Sequence, residues 1–238
     1  MSQPLADGSG DRSVSFYEND YFSHDLKAGT LFNRSGTKMC YLPSELLLSL
    51  KQVMEEEIGD SWRQVVYRVG RIWGRRVARR LQKELTDFYN RPLHEMPVRE
   101  FTAILEGYFR YHGWGDLRLE LAHAHAGYIV ATLENGAFVE VVGASNGPVD
   151  SIVCGLLSEF LCQISERTDI DCVETECAAT GRPRCTFVLG IESRLGIVRR
   201  MVEEGRQHEE IIGHVVPALG KEDLSDSDTS QSRRPALL

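Results

Sequence analysis

Apolar residues recur at helical spacing through the first half of the chain. Leu46, Leu47, Leu50, Val53, Met54 and Ile58 predict an amphipathic helix that opens at Pro43-Ser44-Glu45, with Ser44 as its cap, and runs to about 58. Gly59-Asp60-Ser61 ends it and starts a second helix over 62–88, striped by Trp62, Val66, Val69, Trp73, Val77 and Leu81. Pro97 opens a third over 98–112, which stops at Gly113-Trp114-Gly115. Upstream, Gly29-Thr30-Leu31-Phe32 predicts a short strand.

After Gly115 the period changes from helical to alternating. Residues 116–121 alternate as a half-buried strand does, and 128–133 and 138–142 predict two more, the latter pair joined through Asn135-Gly136 as a hairpin. Pro148 opens a helix over about 149–166 that is apolar on nearly all sides and so belongs at the centre. Strands at about 170–177 and 184–189 follow, then a last helix over about 192–212. Helices followed by an antiparallel sheet indicate an α+β fold, with helices packed on the sheet.

There is no internal repeat and no long linker, so one domain is expected over 29–190, followed by a C-terminal helix over 191–216. Residues 1–28 read as a flexible leader and 217–238 as a disordered polar tail. The start lacks the basic and apolar regions of a secretory signal, and no apolar run is long enough to span a membrane, so the expected location is cytoplasmic. A net charge of -8 argues against general nucleic-acid binding. In a reducing compartment the six cysteines are buried thiols or metal ligands rather than disulfides.

The chemistry concentrates in Glu174-Thr175-Glu176-Cys177-Ala178-Ala179-Thr180-Gly181-Arg182-Pro183-Arg184-Cys185-Thr186-Phe187. This reads as a strand, a tight Gly/Pro turn and a returning strand, which can bring two thiols eight positions apart together. Glu174 and Cys177 are three apart, so a regular strand would point them to opposite faces; a bulge or the onset of the turn must re-aim one. Two thiolates and a carboxylate suit Zn²⁺, which needs a fourth ligand to close a tetrahedral site. Core thiols on a hairpin are the competing reading of the same spacing.

The pattern Glu-x2-Cys-x3-Gly-x3-Cys-x-Phe after an apolar helix with a central Gly resembles the signature of the 4-vinyl-reductase domain family. Tyr67-Arg68-Val69-Gly70-Arg71-Ile72-Trp73-Gly74 is similar to that family's Gly-containing helix, and the resemblance covers roughly residues 29–190. It implies an α+β domain like the nitric-oxide-signalling and Golgi-transport ligand-binding domains. It also implies small-molecule binding, as in phenol- and toluene-responsive sensors and in pigment-related proteins of photosynthetic bacteria. In the aromatic sensors the residues matching Glu174, Cys177 and Cys185 bind zinc together with a Cys from the preceding helix. Aligning that helix on Gly155 puts Asp150 where the sensors have Cys, and Cys154 one turn further along the same face; either, or water, completes the site.

Trp73, Tyr108, Phe109 and Phe160 are candidates to line a ligand pocket, though aromatics at helical spacing usually fill a core. Gly70 and Gly74 permit close approach of another helix or leave room for a ligand. Arg68, Arg71, Arg75, Arg76, Arg79 and Arg80 make a solvated face or a grip for carboxylates of a partner or pigment. His123 and His125 share a face if they lie on a strand, either an exposed sheet face or an axial site for a metal or tetrapyrrole. No nucleotide fingerprint or nucleophile motif is present.

The expected function is therefore a non-catalytic binding protein for a hydrophobic or tetrapyrrole-like molecule, with a structural zinc hairpin. Pigment handling or assembly of a photosynthetic complex, with peripheral contact to a membrane complex, is the context that the resemblance implies. The alternatives are a reductase or reductase subunit acting on a vinyl group of a chlorophyll precursor, and a dimeric structural scaffold. A homodimer is expected.

Overall fold

The computed structural model describes residues 16–17, 21–92 and 95–216. The 217–238 tail and most of the expected leader lie outside the described residues. The rest of that leader is built into the fold. Phe16, Tyr17 and Tyr21 are buried, and β1 (Phe22–Asp25) pairs antiparallel with β2 (Thr30–Asn33), which pairs in turn with β3 (Lys38–Met39). Four aromatic residues between 16 and 22 supply the apolar area that holds this stretch down. The Asn33 carboxamide accepts from the backbone N–H of Ser35 and Thr37 (3.1 and 2.8 Å) and donates to the buried Glu84 (2.7 Å), tying the small sheet to the second helix.

The three long helical patterns become α1 (Ser44–Ile58), α2 (Trp62–Tyr89) and α3 (Val98–Tyr111). Pro43, not Ser44, occupies the first cap position, and no side chain caps the helix. The alternating half becomes one antiparallel sheet in the order β4-β5-β7-β6, from β4 (Asp116–Glu120), β5 (Tyr128–Glu134), β6 (Ile170–Glu176) and β7 (Cys185–Ile191). The protein is an α+β fold. Residues 138–142 are not a strand: Ala137–Val142 form the short helix α4. β5 already has β4 on one side and β7 on the other, so no edge remains for a hairpin partner. Asn135 takes a left-handed φ of 52°, and Phe138 buries its ring 6.3 Å from Trp62. The β-propensity of the segment yields to that packing.

The sheet is covered on both faces, and its alternation decides what goes where. Ile129, Ala131, Leu133, Phe187 and Leu189 face the main core with α2, α3 and α5 (Ser151–Ser165). Tyr128, Val173 and Val188 face a smaller core with Leu195, Val198 and Ile211. Those last three come from α6 (Glu192–Glu203) and α7 (His208–Val215), where one helix was expected; Gly205, at a φ of 75°, ends the first.

Helices α2 and α5 touch backbone to backbone. A Cβ on Gly70 would lie 2.2 Å from the Ile152 carbonyl oxygen, and one on Gly74 2.5 Å from that of Leu156. From the other side, a Cβ on Gly155 would lie 2.1 Å from the Tyr67 carbonyl oxygen. The glycines serve close packing rather than ligand room. Glu159 of α5, 2 % exposed, is held by Arg71 (3.0 and 2.8 Å) and Arg75 (2.8 Å) of α2. Two of the six clustered arginines thus pair within the fold, Arg80 lies against Glu84 at 3.6 Å, and Arg68, Arg76 and Arg79 are exposed.

Gly155→Ala is expected to destabilise the protein by about 3 kcal/mol, because a methyl group there meets backbone that cannot rotate away. Chemical denaturation measures this, and a change below about 0.5 kcal/mol would show that the helices separate freely. At the end of α3, burial and the nearby Arg80 charge lower the His112 pKa to about 4, opposed by its contact with the Tyr108 carbonyl. The folded state resists protonating this ring, so its stability is complete above the unfolded value of about 6.5 and is lost as pH falls toward 4, by up to roughly 3 kcal/mol. In His112→Phe the loss of stability between pH 7 and 4 is expected to be smaller by that amount.

Candidate metal centre

Strands β6 and β7 pair in register as far as Glu174↔Phe187 and then slip, so that Glu176 meets Thr186 and Thr175 is the extra residue of a bulge. The bulge turns Glu174 and Cys177 to one side, as their spacing demands. A single turn of 3-10 helix, Ala178–Thr180, and Gly181 at a φ of 87° carry the chain round to Cys185. The Cys177 and Cys185 sulfurs are then 3.9 Å apart, and a ligand atom from each of Glu174, Cys177 and Cys185 lies within 4.8 Å of the others. All three residues are buried.

The N-terminus of α5 closes the site. Asp150 donates its backbone N–H to Glu174 Oε2 at 3.0 Å, and its own carboxylate is fully buried. Among the described residues, both Asp150 oxygens and Glu174 Oε1 are without a hydrogen-bond partner. Burial raises the Glu174 carboxyl well above its usual range, helped by the charges of Asp150 and Cys177. Burial likewise pushes Asp150 up to about 7, with Cys177 adding to the rise and the Cys185 thiol opposing it. Hydrogen bonding from Cys185 is the main force lowering Cys177 to about 6, and that partnership raises Cys185. Four acidic groups share one dry space and cannot all ionise there without a cation.

The donor set fits a divalent metal ion. Two thiolates on one tetrahedral Zn²⁺, at about 2.3 Å each, sit about 3.8 Å apart, close to the sulfur separation found here. Orphaned carboxylate oxygens are what such an ion would satisfy. Asp150 and Cys154 both lie outside the tight group of three. They differ in what they face. Asp150 interacts with Cys177 and Cys185, whereas Cys154 interacts first with the Cys172 thiol, which together with burial raises its pKa. Asp150 is also tied to the group of three through its backbone N–H, which Glu174 accepts.

Comparison with solved structures shows the fold. The phenol-responsive sensory domain of the transcription activator PoxR, in complex with phenol, matches with a TM-score of 0.62 at 15% identity, over 83% of this chain and 98% of that one. The chain shares that domain's fold. A vinyl-4-reductase family protein from Methanocaldococcus jannaschii aligns at 16% identity over 64% of this chain and 83% of that one, with a TM-score of 0.41. A trafficking protein particle complex subunit 3 from Naegleria fowleri, covalently bound to palmitic acid, aligns at 14% identity over 62% of this chain and 94% of that one, with a TM-score of 0.48. No family profile and no curated protein matches the sequence.

The aromatic candidates pack in and against the main core, the Tyr108 and Phe109 rings 6.2 Å apart. Tyr108, Phe109 and Phe160 are buried in the main core, Phe160 stacked on Phe101 at 5.7 Å, while Trp73 is half-buried against Trp114 at 4.7 Å. His123 and His125 sit at a turn and a 3-10 helix rather than on a strand, so they share no sheet face. A cavity of about 340 Å³ lies between the N-terminal sheet and the end of α3, and none of the four aromatic candidates lines it. Its walls come from residues 22–41 and 110–113, too far apart in sequence for spacing to connect, and partly from the expected leader. Among the described residues, no helix is long and apolar enough to cross a membrane.

Cys177→Ser, Cys185→Ser and Asp150→Asn are each expected to weaken Zn²⁺ binding tenfold or more, while Cys154→Ser leaves it unchanged. Metal analysis of the purified variants measures this, and Co²⁺ substitution checks it by the thiolate charge-transfer band. A loss confined to Cys154→Ser among the two rivals would reverse the assignment of the fourth ligand.

Proposed function

We propose that this chain is a non-catalytic small-molecule-binding domain in which Zn²⁺, held by Glu174, Cys177, Cys185 and Asp150, pins the β6–β7 hairpin to the start of α5. The observation that supports the metal is the group of three orphaned carboxylate oxygens buried beside two thiols. A site of four protein ligands leaves no open position for substrate, so the ion's work is structural. It would hold one edge of the sheet against the helix that α2 clamps.

The binding role draws on the fold shared with a phenol-responsive sensory domain. The ligand class is a small, largely apolar molecule. Sequence resemblance adds a tetrapyrrole, with pigment handling or photosynthetic complex assembly as its setting, and this is carried as one arm of the test. A dimeric scaffold is a second reading, favoured by α1: it buries none of its residues and exposes Leu46, Leu50 and Val53 along one side.

Native mass spectrometry of the full chain, alone and with phenol or protoporphyrin added, is the test. One zinc per chain and a non-covalent adduct are expected, and the same spectra count subunits. A fully folded, metal-free wild type would remove the zinc. Spectra with no adduct from either compound, and none carried through purification, would leave only the scaffold.

A further inference from the structure

We propose that Cys154 and Cys172 form an oxidisable thiol pair, which a peroxide converts to a disulfide that ties α5 to β6. The pair goes beyond the zinc and small-molecule reading and does not depend on it. All six cysteines are free thiols in the structure. Cys177 and Cys185 belong to the candidate metal centre and Cys40 is exposed, which leaves Cys154, Cys162 and Cys172 in the main core.

Helix α5 and strand β6 run antiparallel, and their contacts form a ladder. At the start of α5, Asp150 donates its backbone N–H to Glu174 Oε2 at 3.0 Å. Two turns on, Ser158 Oγ lies 3.2 Å from Asp171 Oδ1. One turn beyond that, Cys162 Sγ lies 3.5 Å from the Ile170 carbonyl oxygen. Four helical residues advance about 6 Å and two extended residues about 7 Å, so the two elements stay matched along their length. Cys154 is the rung between Asp150 and Ser158, and its partner on β6 falls between Glu174 and Asp171. Of the two residues there, Val173 faces the smaller core and Cys172 the main one. The ladder therefore sets Cys154 opposite Cys172, and the Cys172 thiol is the group that Cys154 meets first. Each residue is 5 % exposed. Cys162 is engaged with a carbonyl instead.

The chemistry balances with one peroxide. One sulfur attacks a peroxide oxygen, the O–O bond breaks, and the products are a sulfenic acid and water. The second thiol attacks the sulfenic sulfur, loses its hydrogen and displaces the oxygen as a second water. Two thiols lose two hydrogens, and hydrogen peroxide becomes two waters. A thiol held beside the sulfenic acid captures it before further oxidation. The disulfide links the same two elements that Asp150 and Glu174 join, one rung along. The start of α5 is then held to β6 covalently, whether or not the metal centre is filled.

Treatment of the folded full chain with hydrogen peroxide, alkylation of the remaining thiols and peptide mapping test this. A glutamate-specific protease cuts at Glu159, Glu174 and Glu176, which separates Cys154 from Cys162 and Cys172 from Cys177. A Cys154–Cys172 disulfide is expected with and without added Zn²⁺. It should raise the melting temperature by several degrees, and dithiothreitol should reverse the rise. Cys154→Ala and Cys172→Ala should each abolish both the cross-link and the rise. Cys40→Ser, which removes the exposed thiol able to join two chains, should leave both in place. Three outcomes would overturn the pair: both thiols still alkylated at peroxide concentrations that consume Cys40, either thiol joined only to another cysteine, or a cross-link that forms only in denaturant. The mapping reads neither metal nor ligand, so any of these would leave the zinc and small-molecule reading to its own test.

Discussion

The contact on which the rest of the structure depends is the backbone approach of α2 and α5 through Gly70, Gly74 and Gly155. Two helices this close bury their facing surfaces without side chains between them, which makes the crossing rigid and its position unambiguous. Glu159 adds a charged lock across the same seam through Arg71 and Arg75. With α5 held, its first turn has one place to be, and Asp150 arrives against the end of β6. The candidate metal centre is therefore the far end of a helix–helix contact: the hairpin carries Glu174, Cys177 and Cys185, and α2 determines where Asp150 stands.

Buried polar atoms without a hydrogen-bond partner among the described residues gather at the candidate metal centre. Carboxylates and thiols meet there with no positive charge among them, an arrangement that a bound cation would balance.

The fold relation to the PoxR sensory domain runs through the whole of that domain at low identity, so what is shared is the arrangement of helices and sheet. Side chains that meet a ligand are free to differ in such a case. Tyr108, Phe109 and Phe160, which helical spacing made candidates for a pocket, fill the core instead, and the cavity is walled by the N-terminal sheet. Strand β1 belongs to the stretch that composition alone marks as a leader; its aromatic residues give it a place on the core.

Periodicity by itself determined the long helices, the core strands and the α+β class, because burial against one large core imposes 3.6-residue and 2-residue repeats directly on the chain. The Glu174–Cys177 spacing also dictated a bulge, since a regular strand cannot aim both side chains one way. Only the tertiary structure decided that residues 137–142 are helical, because what excludes them from the sheet is β7 on the edge they would need. The same holds for what Asp150 and Cys154 meet: they lie one turn apart, yet Asp150 gives its backbone N–H to Glu174 while Cys154 meets the Cys172 thiol first. Local pattern governs what a segment can be; which neighbours it meets is a property of the whole chain, and side-chain chemistry is settled by neighbours.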